Sequence, residues 1–192
     1  MTVGLNRAAV ETALGCGGLR CPTAGCGGLL GPWGWARERA VRGVGRLLPR
    51  RSRCLDCRRT QVLLPASVLL RRADAVTVVG AALLAKATGS GHRPIAAALG
   101  RPACTVRGWL RRFGALAEVV RVFFTRLLHS FDPMAGPLLP RDCVFADAVE
   151  ALGRAGAAGV RRLSPRPPWE FASWASGGLL LAPGGGQVSN TS

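Results

Sequence analysis

The spacing of hydrophobic positions predicts helices through the middle of the chain. Apolar residues recur every three or four positions from Val76 onward, and the stretch 116–131 places six of them on one helix face. Pro94 suits the first turn of a short helix and Gly100 suits the position just after its end. We therefore expect four helices, over residues 76–88, 94–99, 103–113 and 116–131.

Composition divides the chain into three zones. Residues 1–65 hold five of the seven cysteines, many glycines and basic segments with strand character, whereas residues 66–132 contain the predicted helices. We therefore expect a mainly α protein, a helical bundle preceded by a small β domain. Residues 133–192 are rich in Pro, Gly and Ala, so we expect them to be largely flexible. The aromatic residues of this last zone are interpreted as loosely packed or as a docking motif: Trp169, Phe171 and Trp174.

The charge of the chain is extreme. Its 26 basic and 10 acidic residues give a net charge of +16 and a pI near 11.6, and Lys86 is the only lysine. A surplus of this size either raises solubility or indicates a polyanionic partner. Because the planar guanidinium can donate two parallel hydrogen bonds to a phosphate or a guanine edge, we favour nucleic acid.

Nothing in the sequence indicates a membrane protein. The longest apolar stretch, Ala75 to Ala85, has about half of the roughly 20 residues that span a bilayer. Arg7 and Glu11 lie where a signal peptide would have its apolar core. We expect no membrane partner and a cytoplasmic, nucleoid-associated location.

Two pairs of cysteines have the spacing of a structural zinc site. Cys21 and Cys26 are separated by 27 residues from Cys54 and Cys57, and each pair can supply two ligands from one short turn. We expect these four thiolates to bind structural Zn²⁺, which a ribbon with so small a core needs in order to fold. Cys16 is an alternative to either early ligand, and unliganded cysteines are the other interpretation.

Two tryptophans, Trp33 and Trp35, lie between the cysteine pairs. They precede a run of arginines: Arg37, Arg39, Arg42, Arg46, Arg50 and Arg51. One interpretation is a β-hairpin that presents a basic face to phosphates. The other is a solvated loop in which the tryptophans cover the ribbon core. Residues two positions apart share one face of a strand, which favours packing.

The segment HRPIAAALGRPACTVRGWLRR, residues 92–112, has the pattern of a helix-turn-helix. Ala96 is the small residue where the second helix would cross the first, and Gly100 tolerates the left-handed conformation that the turn requires. The predicted shared core consists of apolar residues from both helices: Ile95, Leu99, Val106, Trp109 and Leu110.

The second helix carries the candidate contacts to double-stranded DNA, because the N-terminal part of such a helix enters the major groove. We expect Arg107 to contact a guanine O6/N7 edge, and Arg111 and Arg112 to bind phosphates. Thr105 and Arg101 are expected to reach the DNA backbone. The alternative is a helical bundle with a solvated arginine face. The sequence is also compatible with a homodimer, because the apolar face of helix 116–131 could pack either in the core or against a second copy of the chain.

Three segments carry a resemblance to a known family: CPTAGCGG, RRSRCLDCRRT with the LLP that follows, and IAAALGRPACTVRGWLRRF. Over roughly residues 15–131 the chain resembles the DNA-binding front end of bacterial insertion-sequence transposases. It also resembles a small uncharacterised actinobacterial family of the same layout. The resemblance implies that a zinc ribbon and a helix-turn-helix recognise element ends, while a separate acidic domain cuts DNA. The first cysteine pair has four intervening residues where the family usually has two, so Cys26 matches the family's ligand pattern less well than the other three cysteines.

We expect no catalysis from this chain. Transposase chemistry needs three carboxylates around two metal ions. The acids that follow the predicted helices lie too close together in sequence for an α/β nuclease domain: Asp132, Asp142, Asp147, Glu150 and Glu170. We expect no small-molecule substrate either.

The expected function is that of a DNA-binding protein, either transposon-associated or a transcriptional regulator. One alternative is the N-terminal fragment of a transposase whose nuclease domain lies elsewhere. Another is a zinc-stabilised interaction module that binds RNA or an acidic protein.

Overall fold

A computed structural model describes residues 1–4, 6–163 and 166–182 of the chain. A small β region with one helix comes first, and a helical region follows it. The strands are β1 (Thr2–Val3), β2 (Leu30–Trp35), β3 (Arg39–Val41), β4 (Gly45–Leu47), β5 (Arg50–Cys54) and β6 (Thr60–Pro65). The helices are α1 (Arg7–Gly15), α2 (Val76–Ala87), α3 (His92–Leu99), α4 (Ala103–Phe131), α5 (Val144–Val160) and α6 (Pro168–Ala175).

The β region is built on a four-stranded sheet of order β1-β6-β5-β2, in which only β1 and β6 are parallel. A separate hairpin joins β3 and β4. Helix α1 packs with the sheet around a small core of apolar side chains and sulfurs: Val3, Val10, Leu14, Cys21, Leu30, Cys54 and Leu63. So few buried side chains supply little hydrophobic free energy, which makes a further stabilising element necessary.

Helices α2 to α6 surround one large hydrophobic core. The prediction of separate helices over 103–113 and 116–131 is wrong, because α4 is continuous. Its buried positions keep a spacing of three or four residues through Gly114, so one face stays apolar along the whole helix. Within the ranges that the structure describes, no helix combines the length and the apolar character needed to cross a bilayer.

Helices make up 46% of the residues that the structure describes, which confirms the mainly α class with a small β sheet. The structure differs from the expected flexible end, since residues 144–160 and 168–175 are helical and packed. Phe171 is buried against Phe124 and Phe131, and the indole of Trp169 lies so close to Gly80 that no side chain would fit there. The final segment GGGQVSNTS lies outside the described residues.

The β region and the helical region are joined through Asp74. Its carboxylate, 4% exposed, accepts hydrogen bonds from Nε and Nη2 of Arg42 at 2.9 and 3.1 Å, and from Nε of Arg101 at 2.6 Å. Arg42 belongs to the loop after β3, and Arg101 to the connection between α3 and α4. Backbone hydrogen bonds from Arg42 to Ala73 and from Ala75 to Arg42 strengthen the same junction. A single buried carboxylate therefore connects three parts of the fold.

We predict that Asp74→Ala lowers the free energy of unfolding by about 3 kcal/mol, because it leaves the largely buried guanidinium of Arg101 without its anion. Chemical denaturation measures this change. Glu118→Ala is the matched control, since Glu118 pairs with Arg121 on an exposed helix face. Its removal should cost less than about 1 kcal/mol. Equal losses in the two variants would contradict the special role of Asp74.

Candidate metal centre and nucleic-acid interface

Four cysteine sulfurs come together at one end of the sheet: those of Cys21, Cys26, Cys54 and Cys57. The Sγ atoms of Cys21 and Cys57 are 3.7 Å apart, those of Cys26 and Cys54 are 3.6 Å apart, and all four lie within 4.8 Å of one another. A tetrahedral ion with Zn–S bonds of about 2.3 Å places its ligand sulfurs about 3.8 Å apart. The cluster therefore has the number, type and spacing of donors that a four-thiolate metal site requires.

The two turns that carry these sulfurs share one local geometry. The residue after the second cysteine of each pair is left-handed, with φ of 62° at Gly27 and 60° at Arg58. The next backbone N–H donates to the sulfur, from Gly28 to Cys26 and from Arg59 to Cys57. The wider spacing of the first pair therefore leaves Cys26 in the cluster.

This correspondence between the two turns is not visible in the amino-acid sequence. Gly27 signals a left-handed position, but Arg58 does not, because arginine has no preference for that conformation. A left-handed conformation there costs roughly 1–2 kcal/mol, so the rest of the turn must hold the backbone in place.

The cluster cannot easily hold four thiolates without a cation. The N–H of Arg59 is the main cause that lowers the pKa of Cys57 to about 6. The N–H of Gly28 acts to lower the pKa of Cys26, but hydrogen bonding to Cys57 and burial outweigh it and raise that pKa to about 11. Hydrogen bonding between these two sulfurs therefore opposes the ionisation of both together. A bound metal cation would remove this opposition.

Cys16 does not belong to the cluster. It caps the end of α1, is exposed, and its sulfur lies 3.9 Å from the carbonyl oxygen of Ala13. The alternative that placed Cys16 among the early ligands is therefore not supported. Cys104 and Cys143 are also exposed, and both lie in the helical region.

The two tryptophans of β2 lie on opposite faces of the sheet, which differs from the shared face expected from their spacing. The register between β2 and β5 shifts between Pro32 and Gly34, so Trp33 occupies a bulge. The guanidinium of Arg53 stacks on Trp33 at 4.5 Å, and that of Arg50 stacks on Trp35 at 4.8 Å. Arg50 and Arg53 are three positions apart on β5 and therefore point to opposite faces. A bulge reorients a side chain in this way.

Trp35 lies on the inner face, beside α1. Arg7 of that helix also stacks on its ring, at 4.4 Å. Arg50 donates to Glu11 at 2.7 Å and to the carbonyl oxygen of Gly34, which fixes its position. Trp35 thus contacts the helix that covers the sheet, while Trp33 faces away from it.

Helices α3 and α4 meet at a short connection, and we call residues 92–131 the α3–α4 unit. Gly100 is left-handed, with φ of 59° and ψ of 41°, and its N–H bonds to Ala97. Arg101, the residue after Gly100, donates its backbone N–H to the carbonyl oxygen of Ala96, which is buried. Of the core residues predicted for this unit, Ile95, Val106 and Trp109 belong to the main buried cluster. Leu99 and Leu110 are partly buried and pack against that cluster.

The structure separates the five predicted DNA-contacting residues into two groups. Arg107, Arg111 and Arg112 are exposed at the start of α4, and Thr105 beside them is partly buried. Within the described part of the chain, the side chains of Arg107 and Arg111 make no hydrogen bond or ion pair. The guanidinium of Arg112 donates to the Gly108 carbonyl oxygen of its own helix.

Arg101 is placed differently from the other predicted contacts. Its side chain is only 19% exposed and bonds to Asp74 and to the carbonyl oxygens of Leu99 and Gly100. This burial does not favour a contact of Arg101 with the DNA backbone, which stays a prediction. The residue stabilises the connection between the helices.

Comparisons of the chain with models of protein families, with curated proteins and with solved structures find no match. The resemblance to transposase front ends thus stays a prediction that rests on the motifs.

We predict one bound metal ion per chain and its loss, together with the β-region fold, in Cys54→Ser. Cys54 is fully buried, and its replacement removes one of four ligands. Elemental analysis of the purified protein and circular dichroism measure the two effects. Cys16→Ser is the matched control and should keep both metal and fold. A metal-free wild-type protein with an unchanged spectrum and unfolding free energy would contradict a structural metal.

Proposed function

We propose that this protein binds double-stranded DNA, with the α3–α4 unit acting as a helix-turn-helix and the start of α4 entering the major groove. The observation that carries the proposal is the charge distribution of this unit. Between Asp74 and Glu118 the sequence contains no carboxylate, and the arginines at the start of α4 are exposed. Such a region attracts the phosphates of DNA and carries no acidic side chain that would repel them.

The exposed face at the start of α4 suits a groove contact. Cys104, Arg107 and Arg111 follow one another at intervals of three and four residues and therefore lie along one side of the helix. Cys104 is small and allows close approach, while the guanidinium groups of Arg107 and Arg111 are not engaged by other described residues. We propose Arg107 as the base contact, because a guanidinium can bond to both O6 and N7 of guanine.

Arg111 and Arg112 are proposed to contact phosphates, and Thr105 is proposed to contact the DNA backbone beside them. Burial, followed by the charge of Arg112, lowers the pKa of Arg72, so a second cation lies near Arg112. An arginine stays protonated under these conditions, and the two cations therefore repel each other. Bound phosphate would relieve their repulsion.

We propose Zn²⁺ as the ion of the cysteine cluster, with a structural role. A four-thiolate donor set suits Zn²⁺, and four protein ligands leave no open position for a substrate. The proposed function is therefore binding and not catalysis. A transposon end and a promoter operator are both compatible with it.

We predict that selection from a random duplex pool at about 150 mM salt, where non-specific binding is weakened, enriches a defined motif. Arg107→Ala should weaken binding to that motif by about 1–3 kcal/mol and change binding to unrelated duplexes little. Fluorescence anisotropy measures both affinities. Arg126→Ala is the matched control, since Arg126 is exposed on the same helix, about 28 Å further along.

The outcomes separate the alternatives. An enriched motif with two-fold symmetry indicates a homodimer on two half-sites. Equal losses for Arg107→Ala on every duplex make this residue a phosphate contact. No enrichment, together with equal effects of Arg107→Ala and Arg126→Ala, contradicts the proposed helix-turn-helix and favours an interaction module.

A further inference from the structure

The four-stranded sheet has an outer face, directed away from α1, that carries a tryptophan not packed in the core. Trp33 is 51% exposed, and it occupies the bulge in β2, the edge strand of the sheet. The bulge directs it away from α1 and from the small core. An exposed indole offers a flat apolar surface on which another ring can stack.

The Trp33 ring is already positioned for such a contact. Arg53 stacks on it at 4.5 Å, and the Nε of Arg53 donates to the carbonyl oxygen of Arg58 at 3.1 Å. The guanidinium therefore cannot rotate freely, and the indole gains one fixed neighbour. The exposed half of the residue leaves ring surface for a second stacking partner.

The outer face of the sheet also carries other apolar and basic groups. Leu55 is exposed and lies against Gly31, while Val62 is exposed opposite Arg51 on the adjacent strand. Arg58 and Arg59 are exposed in the second metal-binding turn. Between Glu38 and Asp74 the sequence has one acid, Asp56, which lies over Gly28 in the first turn. The face is thus a stacking platform with a strong excess of positive charge.

We propose that this outer face, formed by Trp33, Arg51, Arg53 and Leu55, binds an unpaired strand of nucleic acid, with a base stacked on the Trp33 indole. Unpaired bases expose their π faces, and single-strand binding surfaces combine aromatic rings with arginines along the backbone. The bases of an intact duplex are stacked on one another and cannot use the ring. An acidic protein would need the arginines but not the indole.

The test uses the full-length, metal-loaded protein and fluorescently labelled oligo(dT) of about 12 nucleotides, a common single-strand site size. Trp33→Ala should weaken binding to oligo(dT) at least about fivefold and leave binding to a duplex of the same length unchanged. Trp33→Phe should retain most of the affinity, because the ring remains. The matched control is Trp35→Ala, which removes a partly exposed tryptophan from the same strand on the opposite face. The metal content of each variant verifies its fold.

Oligo(rU) of the same length distinguishes RNA from DNA as the unpaired strand. Unchanged oligonucleotide binding in Trp33→Ala would overturn the proposal. It would also be overturned if Trp33→Ala weakened duplex and single strand equally, or if Trp35→Ala had the same effect as Trp33→Ala. Competition by poly(Glu) that is equal for wild type and Trp33→Ala would show that charge alone governs binding, and would overturn it too. Arg107→Ala lies on a different surface and should leave oligo(dT) binding unchanged, so the two proposals can fail independently.

Discussion

The arrangement of this protein depends on one buried carboxylate. Asp74 takes hydrogen bonds from Arg42 in the β region and from Arg101 between α3 and α4. Removing Asp74 from water costs several kcal/mol, and three charge-assisted hydrogen bonds offset that cost. The cost of burying the carboxylate is offset only when both arginines donate to it. The β region and the α3–α4 unit are therefore held in one relative orientation. Arg101 cannot turn toward a ligand without leaving Asp74 buried beside a single, more exposed partner.

The proposed metal site would solve a different problem, that of a region too small to fold by hydrophobic burial alone. In each cysteine turn the residue after the second cysteine is left-handed, and the next N–H donates to that cysteine's sulfur, at Cys26 and at Cys57. Backbone hydrogen bonds of this kind stabilise thiolates and would orient them toward a bound ion. The same sheet carries the bulge at which Trp33 points outward.

The two proposed binding surfaces differ in chemistry although both are basic. The start of α4 offers flexible guanidinium groups along a helix, which suits the hydrogen-bonding edges and phosphates of a duplex. The outer sheet face offers a fixed indole and a stacked guanidinium, which suits the exposed face of an unpaired base. Aromatic rings are buried in the first surface, where Trp109 belongs to the core, and exposed in the second. This difference gives each surface its own expected partner.

Features that depend on local spacing are predictable from the amino-acid sequence. The pairs around Cys21 and Cys54, the left-handed Gly100 and the apolar faces of the helices follow from a few adjacent residues, whose backbone preferences act without distant partners. Long-range contacts govern the other features. Arg101 reaches Asp74 across 27 positions, the bulge at Trp33 exists only relative to β5, and α5 and α6 both pack against α2. These outcomes depend on groups brought together from distant parts of the chain, whose proximity no local pattern encodes.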